Sequence, residues 1–413
     1  MQNVMRAKRK AGDDSMSPLL ASPQSQLPVL NFAHPPTQWR FYMPAFVNNW
    51  MTCFQPRMVS RTEGAITSHQ GLWLQEAMKN EALFHATLAL SAAYHHKLSL
   101  EKLQFLALYH VGQAISKINL ALNNESSVIN DNTILAVVGI AAYENLKGDC
   151  NSSRMHLNGL QSMVTLRGGL DSLGLLARHA LNWVDCSFAT ATAGEPLFIH
   201  QEPYTRLPSP VPGGLLDYGG SSISMQLQAV LSQLRELTQV LTSSYSTHVT
   251  SDQMWMFSHQ RTLVEQELLL MRFPLEHVPN DGGDPCLRAI AEIVRLAAQI
   301  YVNLVLRCIL PLSSVHRTLS AQISGSLSTL KDDIPDHQCE SLEILLWSAI
   351  LGGTVATDSL IREQLGSVVV KFCGQLKISS WIQCRELIEN VVYSHRGCGD
   401  LCEKFYVEAT SCG

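Results

Sequence analysis

The amino-acid sequence predicts an all-α fold, a multi-helix array of antiparallel helices in two halves joined by a Pro/Gly-rich loop. From about residue 70 onward, apolar residues recur every three or four positions, which is the spacing of one helix face. No segment shows the sustained polar and apolar alternation of a half-buried strand. Of the 413 residues 46% are hydrophobic and 16% charged, so the chain can bury a large core.

The first 38 residues are expected to form a disordered arm. They are rich in Ser, Pro, Gln and Met and lack hydrophobic periodicity. The arm contains a basic cluster, a candidate nuclear import signal that consists of Arg6, Lys8, Arg9 and Lys10. A solvated charge run is the alternative interpretation of this cluster.

A helical domain is predicted over residues 39–408. Five prolines and several glycines between residues 192 and 221 predict a linker, which separates halves of about 39–191 and 222–408. In the first half, an apolar stripe predicts a helix from about Leu100 to Leu122. The members of this stripe are Leu108, Val111, Ile115, Ile118 and Leu122.

Capping residues predict the helices that follow. Asp131 is the expected N-cap of a helix that Gly148 ends, and Asp149 is the expected N-cap of the next, which Gly168 ends. Asp171 or Ser172 is expected to open the helix after that.

The second half is expected to be helical as well. Its first helix carries a heptad seam, for which a buried helix and a coiled-coil dimer are both considered; the seam residues are Ile223, Leu227, Val230, Leu234, Leu237 and Leu241. Asp284 followed by Pro285 predicts the start of a long helix. Further helices are expected around 338–351, 355–373, 379–393 and 399–409.

Composition and motifs argue against several classes of function. A formal net charge of −5 provides no field that would hold nucleic acid. Phosphate-binding loops, dinucleotide fingerprints, HExxH zinc motifs and nucleophile elbows are absent from the sequence, so no enzyme, cofactor or metal site is predicted. His95-His96 and the group His395, Cys398 and Cys402 are not expected to bind a metal.

No membrane span and no disulfide framework are predicted. The longest apolar run, 294–312, is interrupted by Arg295 and Arg307. The 11 cysteines form no CxxC pair, which is typical of reduced thiols in a cytosolic or nuclear protein.

One part of the chain resembles the fungal-specific transcription factor domain family. The matching positions are His156, Gly159, Arg167, Gly168, Gly169, Trp183 and Asp185. Upstream, 83–94 is similar to the small-residue helix of that family. Downstream, 346–353 resembles its Leu-Trp-Pro helix, with Ser348 in place of the proline.

These motif residues are interpreted as structural, with direct ligand contact as the alternative. Gly168 and Gly169 would end a helix, and Gly159 would let another helix approach. Trp183 would fill a core. Arg167 would pair with Asp185 or with a carbonyl of another helix.

The resemblance implies a nuclear regulatory domain, normally carried C-terminal to a zinc binuclear cluster that reads DNA. That cluster needs six cysteines near the N-terminus, whereas the first cysteine here is Cys53. We therefore expect a transcriptional regulator that touches DNA only indirectly, through other transcription regulators or a homodimer partner; a small-molecule effector is left open. The alternatives are a gene model that has lost its zinc cluster, or a helical ligand-binding or scaffold protein.

Overall fold

The structure is a computed structural model. It describes residues 40, 42–53, 69–93, 100–123, 129–199, 225–243, 250–271, 285–309, 311, 313–330 and 339–411. Within these residues all regular secondary structure is helical, with fifteen α-helices and no strand, which confirms the predicted all-α class. The basic cluster of the N-terminal arm, His95-His96 and residues 200–221 of the predicted linker lie outside the described residues.

The described chain divides into two compact units, with the boundary between Leu181 and Asn182. The boundary thus falls inside a helix, before the start of the predicted linker. The helices of the first unit are α1 Met43–Cys53, α2 His69–Ala77, α3 Glu81–Ala93, α4 Leu100–Leu122, α5 Asp131–Lys147 and α6 Cys150–Arg167, and α7 Leu175–Ala191 crosses the boundary. Those of the second are α8 Met225–Ser243, α9 Ser251–Leu270, α10 Pro285–Tyr301, α11 Ser314–Thr329, α12 Cys339–Val355, α13 Ser359–Gln375, α14 Trp381–Val391 and α15 Asp400–Ser411.

Helix α3 is the centre of the first unit. Every side chain from Ala82 to Ala92 is buried, and the helix packs against α4 and α5. Close approach to α5 is possible because small residues face each other, so that a Cβ added to Gly139 would lie 3.0 Å from Ala86 Cβ. The small residues of α3 therefore allow it to pack closely against α5.

Helix α4 has the predicted bounds but a different buried face. Among its described side chains, the buried ones are Ala107, His110, Val111, Ala114 and Ile118. Three members of the predicted stripe are exposed instead, because the helix packs on α3 through its smaller side chains; they are Leu108, Ile115 and Leu122. The spacing of the stripe thus predicted the helix correctly, but the stripe does not coincide with the buried face.

Helix starts and ends agree with most of the capping predictions. Gly148 (φ 82°) and Gly168 (φ 101°) end α5 and α6 in the left-handed conformation, and the Asp149 side chain accepts a hydrogen bond from Ser152 N. The N-cap of α5 is Asn130 and not Asp131, since Asn130 Oδ1 accepts from Thr133 N at 2.9 Å.

The start of α7 differs from the prediction. Residues Leu170–Ser172 form a single 3₁₀ turn, and the α-helix begins only at Leu175. The boundary expected at Asp171 or Ser172 thus marks a short turn and not the α-helix.

The second unit packs around α10 and α12. Trp347 is the largest fully buried side chain, its ring lies 6.5 Å from that of Tyr301, and its Nε1 donates to Val392 O at 2.7 Å. Ser348 stands at the position where the family has proline, and its Oγ donates to Ile344 O, so the helix continues through it. The unbroken helix brings Gly353 against the ring of Phe405.

The heptad seam of α8 lies inside this core. Its five described members, Leu227, Val230, Leu234, Leu237 and Leu241, are at most 2% exposed. The structure therefore supports the buried-helix interpretation of the seam. Ile223 lies outside the described residues.

The segment Cys286–Leu306 is long and apolar enough to cross a membrane by length and composition alone. It is almost entirely buried inside the protein, as the core helix of a water-soluble protein would be. The length and composition of this one segment are therefore weak evidence that the chain crosses a membrane.

Candidate functional site

The motif residues of α6 differ in their exposure. His156 is half-buried, and burial lowers its pKa while the carboxylates of Glu144 and Asp149 oppose that shift. Gly159 is exposed, and an added Cβ would meet nothing within 4 Å. The expectation that Gly159 lets another helix approach was therefore wrong, and the close approach is at Gly139.

Arg167 ties three segments together at the end of α6. Its Nη1 donates to Ile129 O at 2.5 Å, and its Nη2 donates to Ser172 O at 2.9 Å. Nη2 also lies 3.1 Å from Asp131 Oδ1, while Asp131 Oδ2 accepts from Gly174 N at 2.8 Å. A guanidinium and a carboxylate thus hold the turn 168–174 against the start of α5.

The second unit contains the other two motif residues, on α7. Trp183 is half-buried, and its carbonyl oxygen accepts from Arg307 Nη1 at 3.1 Å. Asp185 is fully buried, and its Oδ2 accepts from Phe198 N at 2.8 Å. Gln266 Nε2 donates to the carbonyl of the same Phe198 at 2.9 Å. Asp185 and Gln266 together fix the chain after α7.

A buried cluster of charged residues surrounds these contacts. Arg307 forms an ion pair with Glu265, and both side chains are 1% exposed. One turn before Glu265 on α9, Arg261 donates to Leu306 O and to Ser258 Oγ, both at 3.2 Å. Arg307 Nη1 also donates to Ser187 Oγ at 3.0 Å. We call Arg261, Glu265, Arg307 and Asp185 the ionic cluster.

An irregular backbone delivers Arg307 into the ionic cluster. At the end of α10 the helix widens into a π-helical turn over Val302–Leu306, closed by Arg307 N donating to Val302 O at 2.9 Å. Cys308 follows with a φ of 54°, an uncommon conformation for a residue with a side chain. Widened turns and strained residues concentrate at functional sites, and no sequence pattern revealed this one.

Burial dominates the electrostatics of the ionic cluster. It raises the pKa of Glu265, against the attraction of Arg307 and Arg261, and it lowers the pKa of Arg261 to about 10. Burial also raises the pKa of the Cys186 thiol well above its usual value, so that this thiol is not a ready nucleophile. Arg307 and Glu265 form an ion pair, and Arg261 and Asp185 hold backbone groups, which indicates that the cluster positions the chain.

The first unit has a second buried polar group that sequence analysis missed. His85 Nδ1 lies 2.7 Å from His110 Nδ1, and His110 Nε2 lies 3.0 Å from Tyr42 Oη. Both histidines are at most 4% exposed, and burial lowers the pKa of His85 to about 4 and that of His110 to about 3. Tyr42 directly precedes α1, His85 lies on α3 and His110 on α4. Because the three elements are separated in the sequence, the spacing of residues along the chain could not reveal this group.

Metal-ligating groups were also considered. Among the described residues no group of three or more His, Cys, Asp or Glu could hold a metal ion. His395 is exposed, whereas Cys398 and Cys402 are buried.

Comparison with known proteins gives one match. A family model described as the fungal specific transcription factor domain matches residues 48–391. Comparisons with curated proteins and with solved structures found no match. The matched range includes the α6 and α7 motif residues and the whole ionic cluster.

Proposed function

Since the chain belongs to the fungal-specific transcription factor domain family, we propose that it regulates transcription through protein partners. The family is a regulatory domain of transcription factors and not an enzyme family. The match over 48–391 is the observation that carries the proposal.

DNA is an indirect partner in this proposal. The 413 residues carry a net charge of −5, and no six-cysteine cluster occurs in them. We expect the purified chain to bind DNA weakly, with an affinity that falls steeply with salt. A tight, sequence-selective complex at physiological salt would contradict this. Translation of the genomic DNA upstream of Met1 tests the alternative, a zinc cluster lost from the gene model.

An exposed apolar face on α4 supports a protein partner. Its side chains, Phe105, Leu108, Ile115 and Leu122, are 72%, 55%, 38% and 45% exposed. They repeat at the three- and four-residue steps of one helix face, with Gly112 and Asn119 between them. The exposed parts of these four side chains cover less than the roughly 800 Å² that each partner of a stable complex buries. This area fits a transient partner that presents an amphipathic helix better than a permanent dimer.

A tethering experiment tests the regulatory role. The full chain is fused to an unrelated DNA-binding module, and the output of a reporter with matching sites is measured against the module alone. We expect a change in output that the double substitution Phe105→Ser and Leu108→Ser reduces by about tenfold, since truncated interface anchors cost 1 kcal/mol or more.

The matched control removes equally exposed apolar side chains elsewhere. Leu360 and Ile382 are 62% and 59% exposed, and their replacement by serine is expected to leave the output unchanged. An output equal to that of the module alone, with the fusion expressed and nuclear, would refute the regulatory role. Light scattering on the purified chain identifies the other outcome, in which the α4 face binds a second copy.

Nuclear location and an effector complete the proposal. The basic cluster Arg6, Lys8, Arg9 and Lys10 is expected to import a fluorescent reporter fused to residues 1–20, and deletion of the cluster is expected to abolish import. A small-molecule effector would act by favouring the conformation that binds the partner, and would appear as a ligand-dependent change in the tethered reporter output.

A further inference from the structure

The exposed apolar face of α4 lies next to the place where the N-terminal arm joins the first unit. Arg40 Nη2 donates to Tyr109 Oη at 2.9 Å, and Arg40 Cζ lies 4.6 Å from the centre of the Tyr109 ring. Tyr109 belongs to α4, and its neighbours on the helix surface include Phe105, four residues before it, and Gly112, three residues after it. The chain directly after the arm is therefore held beside the α4 face.

A second contact fixes this place. The Tyr42 hydroxyl lies 3.0 Å from Nε2 of His110, the residue that follows Tyr109 on α4, and the side chains of Tyr42 and His110 are buried. Contacts at Arg40 and Tyr42 thus determine from which side the arm approaches α4.

The arm is long enough to cover the α4 face. Phe32 precedes Arg40 by eight residues, and eight extended residues span at most about 29 Å. The face extends from Phe105 to Leu122, a length of about 26 Å along the helix axis. Because the arm starts near the Phe105 end, its last residues can reach any part of the face.

One segment of the arm matches the α4 face in its chemistry. Residues 27–32 contain no charged residue, and the α4 face has no charged member either. Pro28 disfavours a helix, and in an extended chain Leu30 and Phe32 point to the same side. The segment can therefore place two large apolar side chains against α4 without burying a charge. Its large apolar residues are Leu27, Val29, Leu30 and Phe32.

We propose that residues 27–32 dock on the α4 face of the same chain and compete there with the protein partner. The docking is independent of the proposed function, whereas the competition rests on it. An apolar contact of this small area binds weakly, but a tethered segment meets the face at an effective concentration of about millimolar. The tether therefore favours the arm over a second copy of the chain as the occupant.

Photo-cross-linking in the full chain tests the docking without a partner. Phe32 is replaced by p-benzoylphenylalanine, the purified protein is irradiated and digested, and joined peptides are identified by mass spectrometry. We expect residue 32 to be joined to α4 within residues 104–123. The added substitutions Phe105→Ser and Leu108→Ser should lower the yield of this product by about tenfold, because they remove apolar anchors of the contact.

A control and an isotope mixture complete this experiment. Leu360→Ser with Ile382→Ser removes comparably exposed apolar side chains and is expected to leave the yield unchanged. In an equal mixture of unlabelled and heavy-nitrogen-labelled chains, we expect joined peptides that carry a single label, since both come from one chain. Absence of the α4 product would overturn the docking. Mixed-label pairs as frequent as single-label pairs would also overturn it, because they would show contact between two copies.

The tethered reporter tests the competition. Leu30→Ser with Phe32→Ser is expected to increase the change in output about threefold, as for a face that the arm covers about two thirds of the time. Leu19→Ser with Leu20→Ser is the control, since these residues also belong to the arm but lie outside the docking segment, and it should leave the output unchanged. A cross-link to α4 together with an output that Leu30→Ser and Phe32→Ser do not change would overturn the competition.

The two measurements separate the docking from the proposed function. A cross-link to α4 in a protein whose fusion has no regulatory output would leave the docking in place and refute the proposed function. A regulatory output that Phe105→Ser and Leu108→Ser reduce, in a protein without the cross-link, would refute the docking and leave the proposed function in place.

Discussion

Packing at single positions limits which residues the core can accept. Gly353 on α12 faces the ring of Phe405, and any Cβ at this position would overlap that ring. Phe405 is 1% exposed, and the Arg362 guanidinium lies 4.9 Å above its ring, so movement of the ring would disturb a packed core. Glycine is required at position 353 because a side chain there would overlap the Phe405 ring. Its backbone conformation does not require glycine.

Replacement of Gly353 by alanine is expected to destabilise the protein by about 3 kcal/mol, because the added methyl overpacks the core. The matched control is Gly159→Ala, an exposed position on α6 with open space around the Cβ, where alanine should stabilise by up to about 1 kcal/mol through helix propensity. Urea unfolding followed by circular dichroism measures both. Equal effects of the two substitutions would refute the steric argument.

The Arg307–Glu265 ion pair is another position where one side chain depends on its partner. Arg307→Met is expected to destabilise by about 3–5 kcal/mol, since it leaves a buried carboxylate with less compensation. The control is Arg385→Met, which removes an i,i+4 pair with Glu389 whose side chains are 35% and 46% exposed, and which should change stability by less than about 1 kcal/mol. The same urea assay measures both variants. Comparable losses in the free energy of unfolding would show that burial does not make the Arg307–Glu265 pair more important for stability than the exposed pair.

At the scale of helices and turns, Asp131 connects the start of α5 with the end of α6 and with the turn before α7. Its two carboxylate oxygens reach Arg167 at the end of α6 and the backbone N–H of Gly174 before α7, while the residue itself starts α5. A negative charge is favourable in the first turn of a helix. One side chain therefore stabilises the start of α5 and the turn after α6 together.

Asp131→Ala is expected to destabilise the protein by about 1–3 kcal/mol, because it leaves the Gly174 N–H and Arg167 without this acceptor. Asp171 provides the control, as a carboxylate 83% exposed and 3.7 Å from Arg178, and Asp171→Ala should be within about 0.5 kcal/mol of wild type. Thermal melts of the two variants side by side make the comparison. An unchanged melting temperature for Asp131→Ala would contradict the assigned connection.

The same elements show how far the sequence could lead. Gly148, Asp149 and Gly168 were predictable because local backbone chemistry decides caps, and the bounds of α4 followed from periodicity. The buried face of α4 did not follow, since it depends on which neighbour the helix meets. The ionic cluster was missed for a related reason: Arg307 follows α10, whereas Arg261 and Glu265 lie on α9, and only tertiary packing brings Arg307 to them.

At the scale of the whole molecule, stability is expected to depend on pH through groups that fold in the neutral form. His85 and His110 are buried side by side, and Arg40 disfavours the charged form of both. Lys117 acts in the same direction on His85, whereas Glu81 opposes it. In the unfolded chain both imidazoles return to a pKa near 6.5.

Below that pH the unfolded chain binds protons that the folded chain does not, so stability decreases as the pH falls. The stabilisation that the two neutral histidines provide is complete above about pH 6.5. It decreases as the pH falls towards their folded pKa values of about 4 and about 3. From pH 7 to pH 5, where few carboxyl groups titrate, we expect a loss of about 2 kcal/mol for each histidine. Urea unfolding at pH 7, 6 and 5 measures this slope, which should be much smaller in the double variant His85→Gln and His110→Gln. His395→Asn, at an exposed position, should keep the wild-type slope, and a double variant that also keeps it would show that other groups account for the acid sensitivity.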